Sequence, residues 1–163
     1  MKLFFFGVLI SAFAAGCAGS SSSPTFPSPS PSTNLTSVTG SWTGTSSDST
    51  GQEKLVWKVT QTGNSITGTM SFSETGRSMM GNGSMQGTIK GSTMSFHMSV
   101  PSGGFSGMMS SCAMSVDGQA TMSDDGHTMT GTYSGNMSGM MSGGMMNQSC
   151  GGTMNDGKFT LTR

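Results

Sequence analysis

The chain has 163 residues, with seven Lys and Arg against seven Asp and Glu, so its formal net charge is zero and only 9% of residues are charged. That balance excludes the basic footprint of a nucleic-acid binder and the charge run of an acidic tail, and no nucleic-acid partner is expected. Glycine (26) and methionine (18) are both far above ordinary usage, and the methionines need a structural explanation before a functional one.

The first element is a leader. Met1-Lys2 is followed by the apolar run Leu3 to Phe13 and then by small residues up to Cys17, the charge, apolar core and small-residue order of a signal peptide over residues 1–16. Ala14-Ala15-Gly16-Cys17 resembles the bacterial lipobox. The resemblance implies that Cys17 carries lipid, becomes the new N-terminus and anchors the protein to a membrane of the cell envelope. A plain signal peptide cut near Ala15 is the alternative. Residues 17–37 are mostly Ser and Pro, a composition that buries no core and acts as a disordered tether averaging roughly 25 Å end to end.

Residues 38–163 form one domain by size. Apolar and hydroxyl residues alternate with period two: Ile66, Gly68, Met70 and Phe72 share one face, Ser65, Thr67, Thr69 and Ser71 the other. The same pattern returns at Met94, Phe96, Met98 and Val100 and at His127, Met129, Gly131 and Tyr133. This is the signature of strands with one buried face, and no segment shows helical spacing. Eight strands are predicted, near 38–45, 53–61, 65–72, 84–90, 93–100, 111–122, 127–134 and 152–163. The last is interrupted at Asn155-Asp156-Gly157. Thr62-Gly63-Asn64, Gly91-Ser92 and Asp124-Asp125-Gly126 carry turn chemistry in which Gly and Asn accept positive φ. Sequential hairpins read as an all-β, up-and-down antiparallel barrel, with a two-sheet sandwich as the competing architecture. In the repeated phrase Ile66-Thr67-Gly68-Thr69-Met70, Met85-Gln86-Gly87-Thr88-Ile89 and Met129-Thr130-Gly131-Thr132-Tyr133, glycine takes the inward position, where a curved wall bends without crowding.

Gly40-Ser41-Trp42 resembles the Gly-x-Trp start of lipocalins and their calycin relatives, and Arg163 stands where those barrels often lay a cation over that tryptophan. The likeness covers the two ends of the domain; the lipocalin Thr-Asp-Tyr motif and C-terminal helix are missing. It implies a barrel that binds a small apolar molecule, with Trp42 among the binding residues.

With Cys17 lipidated, Cys112 and Cys150 are left as a pair, expected to be a disulfide in a secreted chain. Catalysis finds little support. His97 and His127 lie on different strands with no sequence-level nucleophile or orienting acid, no Gly-x-Ser-x-Gly elbow exists, and Asp124, Asp125 and Asp156 read as turn formers. The protein is expected not to be an enzyme.

About half the methionines, including Met70, Met85, Met94, Met98, Met114, Met122 and Met129, take inward strand positions and are assigned to core packing. The others form pairs flanked by Gly and Ser: Met79-Met80, Met108-Met109, Met140-Met141 and Met145-Met146. In an up-and-down barrel the connections that carry them share one rim, opposite the short-turn rim where the tether enters, so this mouth is expected to face away from the membrane. Three uses follow for it. An apolar small molecule could enter there, with Trp42 and the rim methionines as binding residues. Copper(I) could be held by thioethers, Met140, Met141, Met145 and Met146 above all. An envelope protein with a structural or partner-binding role would use neither.

Overall fold

The computed structural model describes residues 37–74, 79–141 and 149–163. Eight strands follow in order: β1 Gly40–Asp48, β2 Gly51–Thr62, β3 Ser65–Glu74, β4 Met80–Lys90, β5 Thr93–Val100, β6 Cys112–Met122, β7 Thr128–Gly139 and β8 Gly152–Thr162. Each pairs antiparallel with the next and β8 returns to β1, closing an up-and-down barrel and ruling out the sandwich. Closure leaves no sheet edge, and eight strands enclose an interior just wide enough for side chains to fill.

Period two in the sequence becomes inside and outside in the fold. Met70, Met85, Met94, Met98, Met114, Met122 and Met129 are all buried, together with Trp42, Trp57, Phe96, Phe159 and Leu161. The intervening Thr, Ser and Lys residues face outward, an apolar lumen inside a polar wall and so the reverse of an outer-membrane barrel. Gly63, Gly91 and Gly126 take φ of 59°, 63° and 71°. At the two-residue turns 63–64 and 91–92 only the first residue is left-handed, the order a type II′ hairpin requires, so Asn64 does not share the positive φ expected of it.

The expected interruption of the last strand is a bulge. The register between β7 and β8 shifts where Tyr133 and Gly135 face Gly157 and Met154, and Asp156 takes a φ of 54°.

Several strands are longer than the sequence predicts, and at three places the physical reason is visible. The turn between β1 and β2 is only Ser49-Thr50, tightened by Asp48 Oδ1 accepting the Thr50 N–H at 2.7 Å. Strand β4 begins at Met80 rather than near 84, because Gly81 lies opposite Phe72, whose ring occupies the space a Cβ would need. Strand β7 continues to Gly139, since Gly135 admits the Ser115 carbonyl where a side chain would collide with it. Gly-rich segments that read as loops are therefore strands whose missing side chains are replaced by neighbours.

Candidate functional site

The two ends of the barrel differ. At the short-turn end Trp42 is fully buried, its Nε1 donates to the Val38 carbonyl at 2.8 Å, and the Arg163 guanidinium lies 4.7 Å from the centre of its ring. Arg163 Nη1 also donates to the carbonyls of Ser37 and Thr39 at 2.9 and 3.1 Å, and Val38 N–H donates to Gln61 Oε1 at 3.0 Å. This end is a closed plug with the chain strapped across it. Trp42 is thus remote from the methionine rim with which the sequence reading grouped it, and its role here is packing.

The connections after β3, β5 and β7 share the opposite rim. There the β5–β6 connection folds over the wall: Asn82 N–H donates to the Gly104 carbonyl at 2.8 Å, Ser106 N–H to the Met80 carbonyl at 2.9 Å, and Phe105 is buried with its ring 5.7 Å from that of Phe72. Cys112 and Cys150 are joined, with Cα atoms 5.9 Å apart, which fastens the start of β6 to the segment entering β8.

Each described methionine pair divides its labour. Met79, Met109 and Met141 pack against the core, whereas Met80, Met108 and Met140 are 55%, 69% and 60% exposed. Met137, on β7 rather than in a loop, also packs on the core. Met145 and Met146 lie outside the described residues, as do Cys17, the leader and the tether up to residue 36.

Beneath this rim the interior holds a cavity of about 20 Å³, room for roughly one water-sized body. Met70, Met98, Met114 and Met154 line it, from β3, β5, β6 and β8, together with Trp57. Its floor is aromatic: the Trp57 ring lies 5.2 Å from Phe96 and 4.9 Å from Phe159. Trp57 Nε1 is buried with no acceptor among the described residues.

One wall of the cavity is polar, a feature the sequence analysis did not anticipate. Ser46 and Glu53 line it, with Ser46 Oγ donating to Glu53 Oε2 at 3.2 Å, and Tyr133 lines it while donating its hydroxyl to Asp48 Oδ2 at 2.8 Å. The signal was available in the alternation: Ser46 shares the inward parity of Trp42, and Glu53 that of Leu55 and Trp57.

Burial pushes the Glu53 carboxyl up to about 7, with the Asp48 and Glu74 charges adding to the rise and the Ser46 hydrogen bond opposing it. Burial also raises Asp48, but hydrogen bonds from Thr50, Tyr133 and Gly51 outweigh it and hold that carboxyl below its ordinary value. The Tyr133 phenol is raised, chiefly by burial.

The sign of the Glu53 effect is fixed by linkage. The group binds its proton more tightly folded than unfolded, so its contribution is fully present below 4.5 and is lost as pH rises through about 7. Discounted for partial exposure, that amounts to about 2 kcal/mol less stability at pH 8 than at pH 4.5. Glu53→Gln is expected to flatten this part of the profile in urea unfolding followed across that range. A Gln variant with the wild-type profile would assign the pH dependence elsewhere.

Outside the barrel, His97 Nδ1 and Asp117 Oδ1 lie 2.8 Å apart on adjacent strands, an orienting acid that only the β5–β6 register reveals. The pair faces solvent. His127 is exposed at the turn before β7, not inward as the alternation suggested, because the strand begins one residue later.

Fold and site together define a closed eight-stranded β-barrel with one plugged end and one methionine-walled end. No protein-family model, curated protein or solved structure matches the chain.

Proposed function

We propose that the protein is a non-enzymatic lipoprotein of the cell envelope, anchored through lipid on Cys17, whose barrel handles a soft metal cation, copper(I) in particular, at its methionine end. One observation carries this reading: the thioethers form a graded series at that end. Exposed Met80, Met108 and Met140 give way to half-buried Met79, Met109 and Met141, and beneath them lie buried Met70, Met98, Met114 and Met154. Thioether sulfur is a soft donor that suits copper(I) over harder ions. Core packing accounts for buried methionines anywhere in the barrel, but not for the exposed ones gathered on one rim.

Size favours this reading over an apolar small molecule. Organic ligands occupy pockets of about 300–1,000 Å³, while the described interior leaves about 20 Å³. Such a ligand would have to displace Phe105 or part of the core, whereas a single ion would not. The exposed methionines do favour a second reading, an apolar molecule held on the rim.

The two separate in one pair of titrations on the purified protein. Copper(I) delivered from a competing chelator is expected to bind, while a hydrophobic fluorescent probe is expected to show no saturable enhancement. Saturable probe binding without copper(I) uptake would transfer the assignment to the apolar ligand. The anchor has its own test: wild type is expected in the detergent phase on phase partitioning and the Cys17→Ala protein in the aqueous phase. Wild type remaining aqueous would refute lipidation.

A further inference from the structure

We infer that the resident position of the cation is the interior cavity beneath the rim, with Met70, Met98, Met114 and Met154 as its thioether donors and Glu53 as its counter-charge. The inference rests on the soft-cation reading proposed above and assigns the site to core methionines instead of the rim pairs.

One constraint is dimensional. A cavity of about 20 Å³ accepts one ion or one water and nothing larger. The second is the donor set. The polar wall of Ser46, Glu53, Tyr133 and Trp57 could by itself serve a water. Four of the residues around this cavity are methionines, however, each from a different strand, whose thioethers add little to a water site and suit a soft ion. The third is charge. A buried cation must be paired, and Glu53 lines the same cavity, so one monovalent ion entering as the Glu53 carboxyl releases its proton leaves a neutral pair.

Preorganisation separates the cavity from the rim. The four methionines stand on hydrogen-bonded strands closed into a ring, so little backbone entropy is lost on binding. A site assembled from Gly-flanked loops would have to order those loops first. The half-buried Met79, Met109 and Met141 lie between surface and interior and supply thioethers along the way in. Trp57, at the wall of the cavity, offers a ring to the cation and an emission signal that reports its arrival.

The test compares three forms of the purified full chain by copper(I) titration against a chelator: wild type, a core variant (Met98→Leu with Met114→Leu) and a rim variant (Met80→Leu, Met108→Leu and Met140→Leu). Leucine nearly conserves volume, so the core variant is expected to fold, and thermal melting verifies it. Wild type and the rim variant are expected to take up one ion with similar affinity. The core variant should bind on the order of tenfold more weakly or worse, the scale on which even supporting residues of metal sites act. In wild type, tryptophan emission should be quenched, and because Trp42 is the cross-strand partner of Trp57, the share of Trp57 is read in a Trp42→Phe variant. This second readout does not depend on the core variant folding.

Loss of binding in the rim variant with an unaffected core variant would overturn the interior site and leave copper(I) handling at the rim intact. Binding without quenching of Trp57 would overturn the interior site as well. No uptake by wild type would overturn both, leaving a water cavity served by Glu53 and the Trp57 N–H.

Discussion

Replacing Cys112 and Cys150 together with alanine is expected to lower the stability of the barrel by about 4 kcal/mol, the chain-entropy value for a closed loop of this length. The bridged residues are 38 apart in sequence, and the loop they close contains all of β7 and the connection to β8. Without the bond, that connection is still held near the barrel by the Cys150 N–H to Gly139 carbonyl hydrogen bond at 3.0 Å and the bridge between Met140 and Ser149. The native contacts therefore change little, and the loss appears as a lower midpoint in urea. A reduced wild-type protein should match the double variant. A difference below about 1 kcal/mol between oxidised and reduced protein would mean that the unfolded chain is already restrained in this region.

An effect of similar size is expected at the opposite end. Trp42 fills the base of the barrel with no exposed surface, pairs across the sheet with Trp57 and carries a buried hydrogen bond to Val38. Trp42→Ala should cost about 4 kcal/mol, within the range for removing a large aromatic from a packed core. For a domain of this size that corresponds to a fall of roughly 15 °C in Tm. Arg163→Ala should cost about 1 kcal/mol, because the cation over the ring is exposed on its other side and its two carbonyl acceptors can turn to water. In the double variant the two losses should not add, since the Arg163 contribution runs largely through Trp42. Full additivity, read from thermal melts of the four proteins, would mean that Arg163 acts only by strapping residues 37–39.

The barrel was legible from period two alone because one buried face leaves a repeating mark on every strand. Met94, Phe96, Met98 and Val100 announce β5 without any tertiary information. What pattern could not supply was register, and the misjudged start of β4 and end of β7, at Met80 and Gly139, trace to it. Gly81 and Gly83 look like loop residues until Phe72 and Val100 are seen to occupy the places their side chains would take. Gly118 and Gly131 likewise receive the rings of Phe96 and Phe159 from adjacent strands. Such pairing is a property of two segments, so neither segment shows it alone.

The candidate site was legible in part for the same reason. Topology alone places the connections after β3, β5 and β7 on one rim, and the Cys112–Cys150 bond expected from cysteine count joins two segments there. The division within each pair, one thioether inward and one outward, depends on tertiary pairing of the connections, such as the bridges from Phe105 to Gly81 and from Met140 to Ser149. The cavity was not legible at all. Met70, Met98 and Met114 carry the same inward parity as the other core residues of their strands, whereas Met154 faces inward only because the bulge at Asp156 breaks the alternation of β8. Glu53 lay within reach of the alternation rule, but a glutamate near a strand end reads first as a solvated residue.

The most direct measurement of the central claim is the methyl spectrum of the protein carrying carbon-13 in its methionine side chains, recorded as copper(I) is added under anaerobic conditions. The account predicts that one equivalent moves the signals of Met70, Met98, Met114 and Met154, leaving those of Met94 and Met129 near the Trp42 end and of exposed Met80, Met108 and Met140 in place. Shifts confined to the rim, or a spectrum unchanged by the metal, would contradict it.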